Sequence, residues 1–209
     1  MPLEIIKVCG ITRVEDVLWA AQQGATAIGL NFYPGSRRYV DFARGAMIGG
    51  VTPRHVLKVG VFVDESADRI LDTVRAVRLD VVQLHGSESP HDCELLEGVR
   101  VWKAFRVGEG FELQRLADYS CEALLLDSAG ENGSPGGTGR TFPWGIARHA
   151  ARYGKIIIAG GLDGSNVGEA IRQGAPWGVD ASSRLERSAG VKDRALVQAY
   201  LQAAGATHA

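Results

Sequence analysis

Short apolar runs rich in β-branched residues alternate along the chain with longer stretches of amphipathic spacing. This alternation is typical of βα units that build a parallel sheet. Eight apolar runs predict strands, at residues 5–9, 27–32, 57–63, 81–84, 101–105, 123–126, 156–159 and 178–181. The stretches between and after them predict helices, at residues 14–23, 41–49, 67–77, 90–96, 110–119, 143–153, 166–173 and 193–204.

Eight alternating strand–helix pairs favour a closed sheet, because an open sheet of eight parallel strands has two edges to protect. The chain has 209 residues and is 45% hydrophobic, which is enough for one sizeable core. We therefore predict a single α/β domain over residues 1–209, a (β/α)₈ TIM barrel. A doubly wound open sheet is the alternative.

Charge and cysteine content narrow the function classes. Lys and Arg total 23 against 24 Asp and Glu, giving a formal net charge of -1, so no bulk positive field is present to bind nucleic acid. The three cysteines form neither a CxxC pair nor a Cys/His spacing of the kind that binds zinc. We expect reduced thiols, no metal, no obligate protein partner and a cytoplasmic location.

Export and membrane insertion are not expected. The first residues lack a basic segment followed by an apolar one, which is the pattern of a secretory signal. No apolar run reaches the roughly 18 residues that a membrane helix needs.

In a TIM barrel the carboxyl ends of the strands carry the active site. Cys9 ends the first predicted strand and opens into a glycine-containing loop, whereas Asp127 follows the sixth. Alone, Cys9 is as easily explained as a small buried hydrophobe, and Asp127 as a cap on its loop. Their placement on opposite sides of one barrel favours a shared chemical role.

A small anion has a candidate site after the last two strands. Gly160 and Gly161 follow the seventh strand, and Ser182 and Ser183 follow the eighth. Loops at these two places often bind phosphate through backbone amides at a helix N-terminus. Ordinary turn chemistry is the alternative for each pair alone, but their pairing on adjacent strands predicts a phosphate site.

Seven sequence blocks, in register along most of the chain, carry a family resemblance. They are KVCGIT at 7–12, PGSRRY at 34–39, VGVF at 59–62, VQLHG at 82–86, GGTG at 136–139, AGGL at 159–162 and VDASS at 179–183. With these blocks the sequence resembles the phosphoribosylanthranilate isomerases. The resemblance implies an Amadori rearrangement in tryptophan biosynthesis, on a small phosphorylated substrate and without metal or organic cofactor.

The resemblance also implies residue roles. Cys9 is the expected general base, Asp127 the general acid, and Arg38 the group that binds the anthranilate carboxylate, with Arg37 in solvent. His85 is expected to orient Asp127 or to line the sugar site, or else to be satisfied by backbone. Asp180 is expected to bond a sugar hydroxyl or to orient a phosphate loop, with a helix N-cap as the alternative.

One departure from the family pattern bears on binding. Arg184 stands where glycine is common in the family, and its side chain either crowds the phosphate or contacts it. The segment 128–140, with five glycines and Pro135, is expected to be a mobile flap over the sugar or a connector without a role.

Two other functions compete. A related phosphoribosyl isomerase of histidine synthesis is expected to carry a carboxylate at the position of Cys9. A non-catalytic phosphate-binding barrel has no need for Cys9 opposite Asp127.

Overall fold

The computed structural model describes residues 3–128 and 141–205. Eight parallel strands close into a barrel in the order β1 to β8, with β8 pairing back onto β1. The strands are β1 (Ile5–Val8), β2 (Ala27–Asn31), β3 (Leu57–Phe62), β4 (Val81–Leu84), β5 (Val101–Val107), β6 (Ala123–Ser128), β7 (Lys155–Ile158) and β8 (Gly178–Ala181). The closed sheet confirms the predicted TIM barrel and excludes the open doubly wound sheet.

Helices follow the strands, as the amphipathic stretches predict. They are α1 (Val14–Gln22), α2 (Phe42–Val51), α3 (Ala67–Val77), α4 (Pro90–Glu94), α5 (Gly145–Ala150), α6 (Val167–Gly174) and α7 (Arg194–Ala203). After β8 the chain forms a short 3₁₀ helix, Ser183–Leu185, and a two-stranded hairpin of β9 (Glu186–Ser188) and β10 (Val191–Lys192). No helix in the described ranges has the length and hydropathy needed to cross a bilayer.

The fifth connection differs from the prediction. The sequence pattern predicts a helix at 110–119, whereas the structure has a 3₁₀ helix at Leu113–Asp118. Gly110 adopts a left-handed φ of 77°, so the chain is still turning where the predicted helix begins. The helix that forms has only six residues, and short segments are where 3₁₀ geometry is common.

Two apolar layers hold the barrel together. One lies between the strands and the surrounding helices, and the other fills the barrel interior. Trp102 on β5 is fully buried in the inner layer, where its ring meets Trp177 edge-on at a centroid distance of 5.9 Å. Edge-to-face contact is a favourable arrangement of aromatic rings. The two tryptophans fill the barrel at the amino ends of the strands. The opposite end, at the carboxyl ends of the strands, is where the cleft opens.

The predicted flap falls almost entirely outside the described part of the chain. Ser128 ends β6, and residues 129–140, which include the GGTG block, lie outside the described residues.

Candidate active site

A cleft of about 880 Å³, counting its space open to solvent, lies at the carboxyl ends of the barrel strands. All the site residues predicted from the sequence line it: Cys9, Arg38, His85, Asp127, Gly160, Gly161, Asp180, Ser182 and Ser183. They come from six of the eight strand ends or the loops that follow them. Arg37, which we expect to lie in solvent, is exposed and is not among the residues that line the cleft.

Cys9 immediately follows β1, and the neighbouring strands fix its position. Its backbone N–H donates to Ala181 O at 2.8 Å, and Ser182 Oγ donates to Cys9 O at 3.1 Å. On the side of β2, a Cβ at Gly29 would lie 2.5 Å from Cys9 Sγ. Because non-bonded atoms do not approach that closely, the missing side chain at Gly29 makes the room that the thiol occupies.

A buried ion pair lies beneath the thiol. Lys7 is two residues before Cys9, on the same inner face of the barrel, and its Nζ is 2.8 Å from Asp180 Oδ2. Burial is the main reason that the pKa of the Cys9 thiol is raised; Asp180 raises it further, and Lys7 opposes both. Burial alone would lower the pKa of Lys7, but attraction to Asp180 and Cys9 outweighs it, and that pKa is raised. The thiol therefore sits beside a retained cation, which offsets part of the effect of burial on its pKa.

Asp180 also presents an acceptor to the cleft. Its Oδ2 takes the bond from Lys7, while its Oδ1 is buried and has no hydrogen-bond partner among the described residues. Burial raises the pKa of this carboxyl, and Lys7 acts in the opposite direction. An unpartnered buried acceptor costs free energy, on the order of 1–3 kcal/mol, until a donor reaches it.

Asp127 ends a chain of three side chains that runs into the barrel. Asp127 Oδ2 is 3.1 Å from His85 Nε2, and His85 Nδ1 is 2.7 Å from Gln83 Nε2. Asp127 is 7% exposed and lies close to the loop after β7. A Cβ at Gly160 would fall 2.7 Å from Asp127 Oδ1, and Gly160 adopts a φ of 81°. Glycine is thus required at 160 both for the backbone conformation and for the space beside the carboxyl.

Arg38 is held by a partner that the sequence pattern does not reveal. Its Nε and one terminal nitrogen donate to the two oxygens of Glu186 on β9, at 2.8 and 2.7 Å. Glu186 is in turn 2.8 Å from Lys192 Nζ on β10. The hydrogen bonds that Arg38 donates to Glu186 are the main reason that the pKa of Arg38 is raised. Arg38 thus lines the cleft with a guanidinium whose orientation is fixed by Glu186.

Backbone donors gather at the predicted phosphate end. Gly160 and Gly161 adopt left-handed φ values of 81° and 63°. Within the described residues, the backbone N–H groups of Gly160, Gly161 and Ser182 donate no hydrogen bond outside regular strands and helices. Arg184 also lines the cleft, and one of its terminal nitrogens is 2.5 Å from Asp163 Oδ2. This ion pair joins the loop after β8 to the loop after β7.

Sequence reasoning did not identify Lys7, Gln83 or Glu186. The sequence could have identified Lys7 and Gln83, because each is a polar residue two positions before a predicted site residue in an otherwise apolar strand. Strand alternation places both on the inner face of the barrel. Glu186 carries no such signal, because its contact depends on where the loop after β8 turns. Across the described ranges, no group of three or more His, Cys, Asp or Glu residues is arranged to hold a metal ion.

Comparison with known proteins agrees with this geometry. The family model described as N-(5'phosphoribosyl)anthranilate (PRA) isomerase matches residues 6–203. The N-(5'-phosphoribosyl)anthranilate isomerase of Solibacter usitatus is 44% identical over 202 residues, 97% of this chain and 98% of that protein. The enzyme of the same name from Geobacter sp. strain M21 is 45% identical and covers 94% of this chain and 95% of its own length.

Solved structures give the same result. Phosphoribosyl anthranilate isomerase from Thermotoga maritima superposes with a TM-score of 0.88 at 34% identity and covers 98% of this chain and 99% of its own. A further structure, with a TM-score of 0.86 at 33% identity over the same shares of the two chains, is a phosphoribosyl anthranilate isomerase in complex with reduced 1-(o-carboxyphenylamino)-1-deoxyribulose 5-phosphate. Match length, identity and fold all agree, and the chain belongs to the N-(5'-phosphoribosyl)anthranilate isomerase family.

Proposed function

We propose that this chain converts N-(5'-phosphoribosyl)anthranilate into 1-(2-carboxyphenylamino)-1-deoxyribulose 5-phosphate, with Cys9 and Asp127 carrying the proton transfers. This aldose-to-ketose rearrangement is the Amadori step of tryptophan biosynthesis, and family membership supports it. One observation carries the assignment of roles: a thiol and a carboxyl, at the ends of β1 and β6, line one cleft.

The reaction needs an acid and a base on different atoms of the sugar. Asp127 in its protonated form donates to the ring oxygen, the bond from C1 to that oxygen breaks, and the nitrogen lone pair forms a C=N bond. The Cys9 thiolate then removes the proton from C2, the electrons move to the nitrogen, and an enolamine results. Its tautomerisation gives the ketose. Two positioned groups of this kind are what general acid–base catalysis requires.

The two ends of the substrate match the two ends of the cleft. The N–H groups around Gly160, Gly161, Ser182 and Ser183 suit the phosphate, since backbone donors in glycine-rich loops bind such anions. Arg38 suits the carboxylate, because a guanidinium presents paired donors to two oxygens. The unpartnered Asp180 Oδ1 suits a ribose hydroxyl.

The rival functions are less well supported. The thiol at position 9 disfavours a histidine-pathway isomerase, for which we expect a carboxylate there. A non-catalytic phosphate-binding barrel leaves the Lys7–Asp180 pair beneath Cys9 unexplained. We further propose that the enzyme acts in the cytoplasm on its small substrate, without nucleic acid or an obligate protein partner. The free state of all three cysteines and the net charge of -1 support this.

The activity and the acid–base pair are tested together. Freshly generated phosphoribosylanthranilate is fluorescent, and the parent protein should abolish that fluorescence as it turns the substrate over. Cys9→Ala and Asp127→Asn should each lower kcat by at least about two orders of magnitude with little change in substrate affinity, the usual value of a positioned acid or base. If either variant retains the parent kcat while chemistry limits the rate, its residue does not have the proposed role.

The carboxylate site is tested with two neighbouring arginines. Arg38→Met should raise KM about tenfold or more, because it removes a charge-assisted hydrogen bond of about 1.5 kcal/mol or more. Lys192 still pairs with Glu186 in this variant, so the fold should persist. Arg37→Met is the matched control and should change KM little, since Arg37 is exposed. The reverse ranking moves the carboxylate contact to Arg37.

The role of Arg184 is tested at the phosphate end. Because Asp163 holds this guanidinium at the cleft, we expect it to contribute a charge-assisted contact to phosphate. Arg184→Gly should weaken binding of inorganic phosphate about tenfold in titration calorimetry, more so at low ionic strength. Arg187→Gly, at an exposed position outside the cleft, should leave binding unchanged. Unchanged or tighter binding in Arg184→Gly shows that the side chain faces solvent or obstructs the site.

The charges around Cys9 predict opposite shifts in its reactivity. In a Cys93→Ala/Cys121→Ala background, alkylation of Cys9 by iodoacetamide should rise with pH along a curve displaced upward from that of an exposed cysteine, because burial raises its pKa. Lys7→Met should move the curve further up by removing the cation, and Asp180→Asn should move it down by removing the anion. Shifts in the same direction in both variants contradict the electrostatic account.

A further inference from the structure

Gln83 is a buried polar side chain that the proposed proton transfers do not use. It lies on β4, two residues before His85, and is 1% exposed. Its Nε2 is 2.7 Å from His85 Nδ1, and His85 Nε2 is 3.1 Å from Asp127 Oδ2. The amide is therefore linked to the proposed general acid through a single imidazole ring.

The direction of these hydrogen bonds defines the protonation of His85. An amide nitrogen only donates, so Nδ1 must accept from Gln83 and carries no proton. The proton of a neutral imidazole then lies on Nε2 and is donated to Asp127. An imidazolium has a proton on each nitrogen, and its Nδ1–H would face the two donors of the amide.

We propose that Gln83 is a positioning residue that keeps His85 neutral, with its proton on Nε2, so that Asp127 can hold the proton it delivers to substrate. This inference rests on the proposed role of Asp127 as the acid. A positive imidazolium beside Asp127 favours the ionised carboxylate, which has no proton to give. A neutral imidazole orients the carboxyl and carries no such charge.

The charges around His85 make a fixed donor necessary. Asp127 contacts it directly, and Asp180 on β8 interacts electrostatically with both groups. A carboxylate next to an imidazole attracts a positive ring, so Nδ1 needs a donor that opposes this effect. Lys7 neutralises part of the charge of Asp180, and the Lys103–Glu88 ion pair, at 2.9 Å, lies beyond the end of β4. Arg106 on β5 is the register partner of Asp127, and Cys9 lies across the cleft.

Gln83 acts against this bias through the orientation of its amide. Its Oε1 is buried and has no partner within the described residues. If the amide were rotated by half a turn, this oxygen would accept from Nδ1–H, which the imidazolium and the other neutral tautomer carry but the Nε2–H tautomer lacks. An isosteric change from amide to carboxylate has the same effect, since a carboxylate only accepts. This gives a variant that changes the hydrogen-bonding character of residue 83 and leaves its shape nearly unchanged.

The experiment combines Gln83→Glu with Gln83→Met, a control of similar length that neither donates nor accepts strongly. Nitrogen-15 NMR of histidine-labelled protein reports each ring nitrogen without substrate, and a His85→Asn spectrum identifies His85 among the five histidines. In the parent protein, the His85 ring should show one protonated and one unprotonated nitrogen near neutral pH. Gln83→Glu should show two protonated nitrogens, and Gln83→Met a mixture of the two neutral tautomers.

The kinetics of turnover distinguish the proposed role of Gln83 from a purely structural one, because a structural role would not shift the pH–rate profile. Gln83→Glu should lower kcat at least about tenfold, part of the 10²–10⁴ that a positioned acid supplies, with KM little changed. Its pH–rate profile should move to lower pH, because a positive ring beside an acid favours the ionised carboxylate, and Gln83→Met should lose less activity without that displacement. The proposal is overturned by an imidazolium or an Nδ1–H tautomer in the parent, by a neutral His85 in Gln83→Glu, or by an unmoved pH–rate profile. Failure of the proposed function is seen separately, as absence of turnover in the parent.

Discussion

The pairing of β8 with β1 is the constraint on which the site depends. It closes the barrel, and its register sets Lys7 opposite Asp180 and Val8 opposite Ala181. That register makes the buried ion pair possible and lets Ala181 O receive the N–H of Cys9. It also brings the loop of Ser182 against the backbone of the thiol. A shift of one residue would turn the polar side chains of β8 outward and would separate the thiol, the ion pair and the proposed phosphate loop.

A polar layer lies inside the otherwise apolar barrel, at and just below the proposed substrate site. Lys7, Gln83 and Asp180 are each 6% exposed or less, and each contacts or influences a residue of that site. Burying such groups costs free energy, and replacing them by apolar residues would often favour stability. The proposed reaction accounts for their presence: the Lys7–Asp180 pair would act on the thiol, and the Gln83 amide would act on the proposed acid through His85.

The fold and most of the residues that line the cleft can be predicted from the sequence. The fold follows from the hydrophobic periodicity, and the lining residues follow from the rule that the strand ends of a TIM barrel carry the site. Cys9 and Asp127 each close an apolar run, so a one-dimensional pattern suffices to place them at one end of the barrel. Their roles stay predictions until the variants are measured. The contact of Arg38 with Glu186 joins residues 148 positions apart through a hairpin whose turn no local pattern predicts. The 3₁₀ helix at Leu113–Asp118 was predicted as an α-helix, because periodicity does not show that Gly110 is still in a left-handed turn.

The absent side chain at Gly29 has a consequence for how this enzyme can change over evolutionary time. Positions 9 and 29 share one volume, since a Cβ at 29 would meet Cys9 Sγ at 2.5 Å. A side chain at position 29 is therefore incompatible with the thiol as it is placed, so we expect the two positions to change together. A larger residue at position 9 would need space away from Gly29, which already lies against Cys9 Sγ. Cys9 and Gly29, twenty positions apart in the sequence, are thus expected to be retained or replaced together.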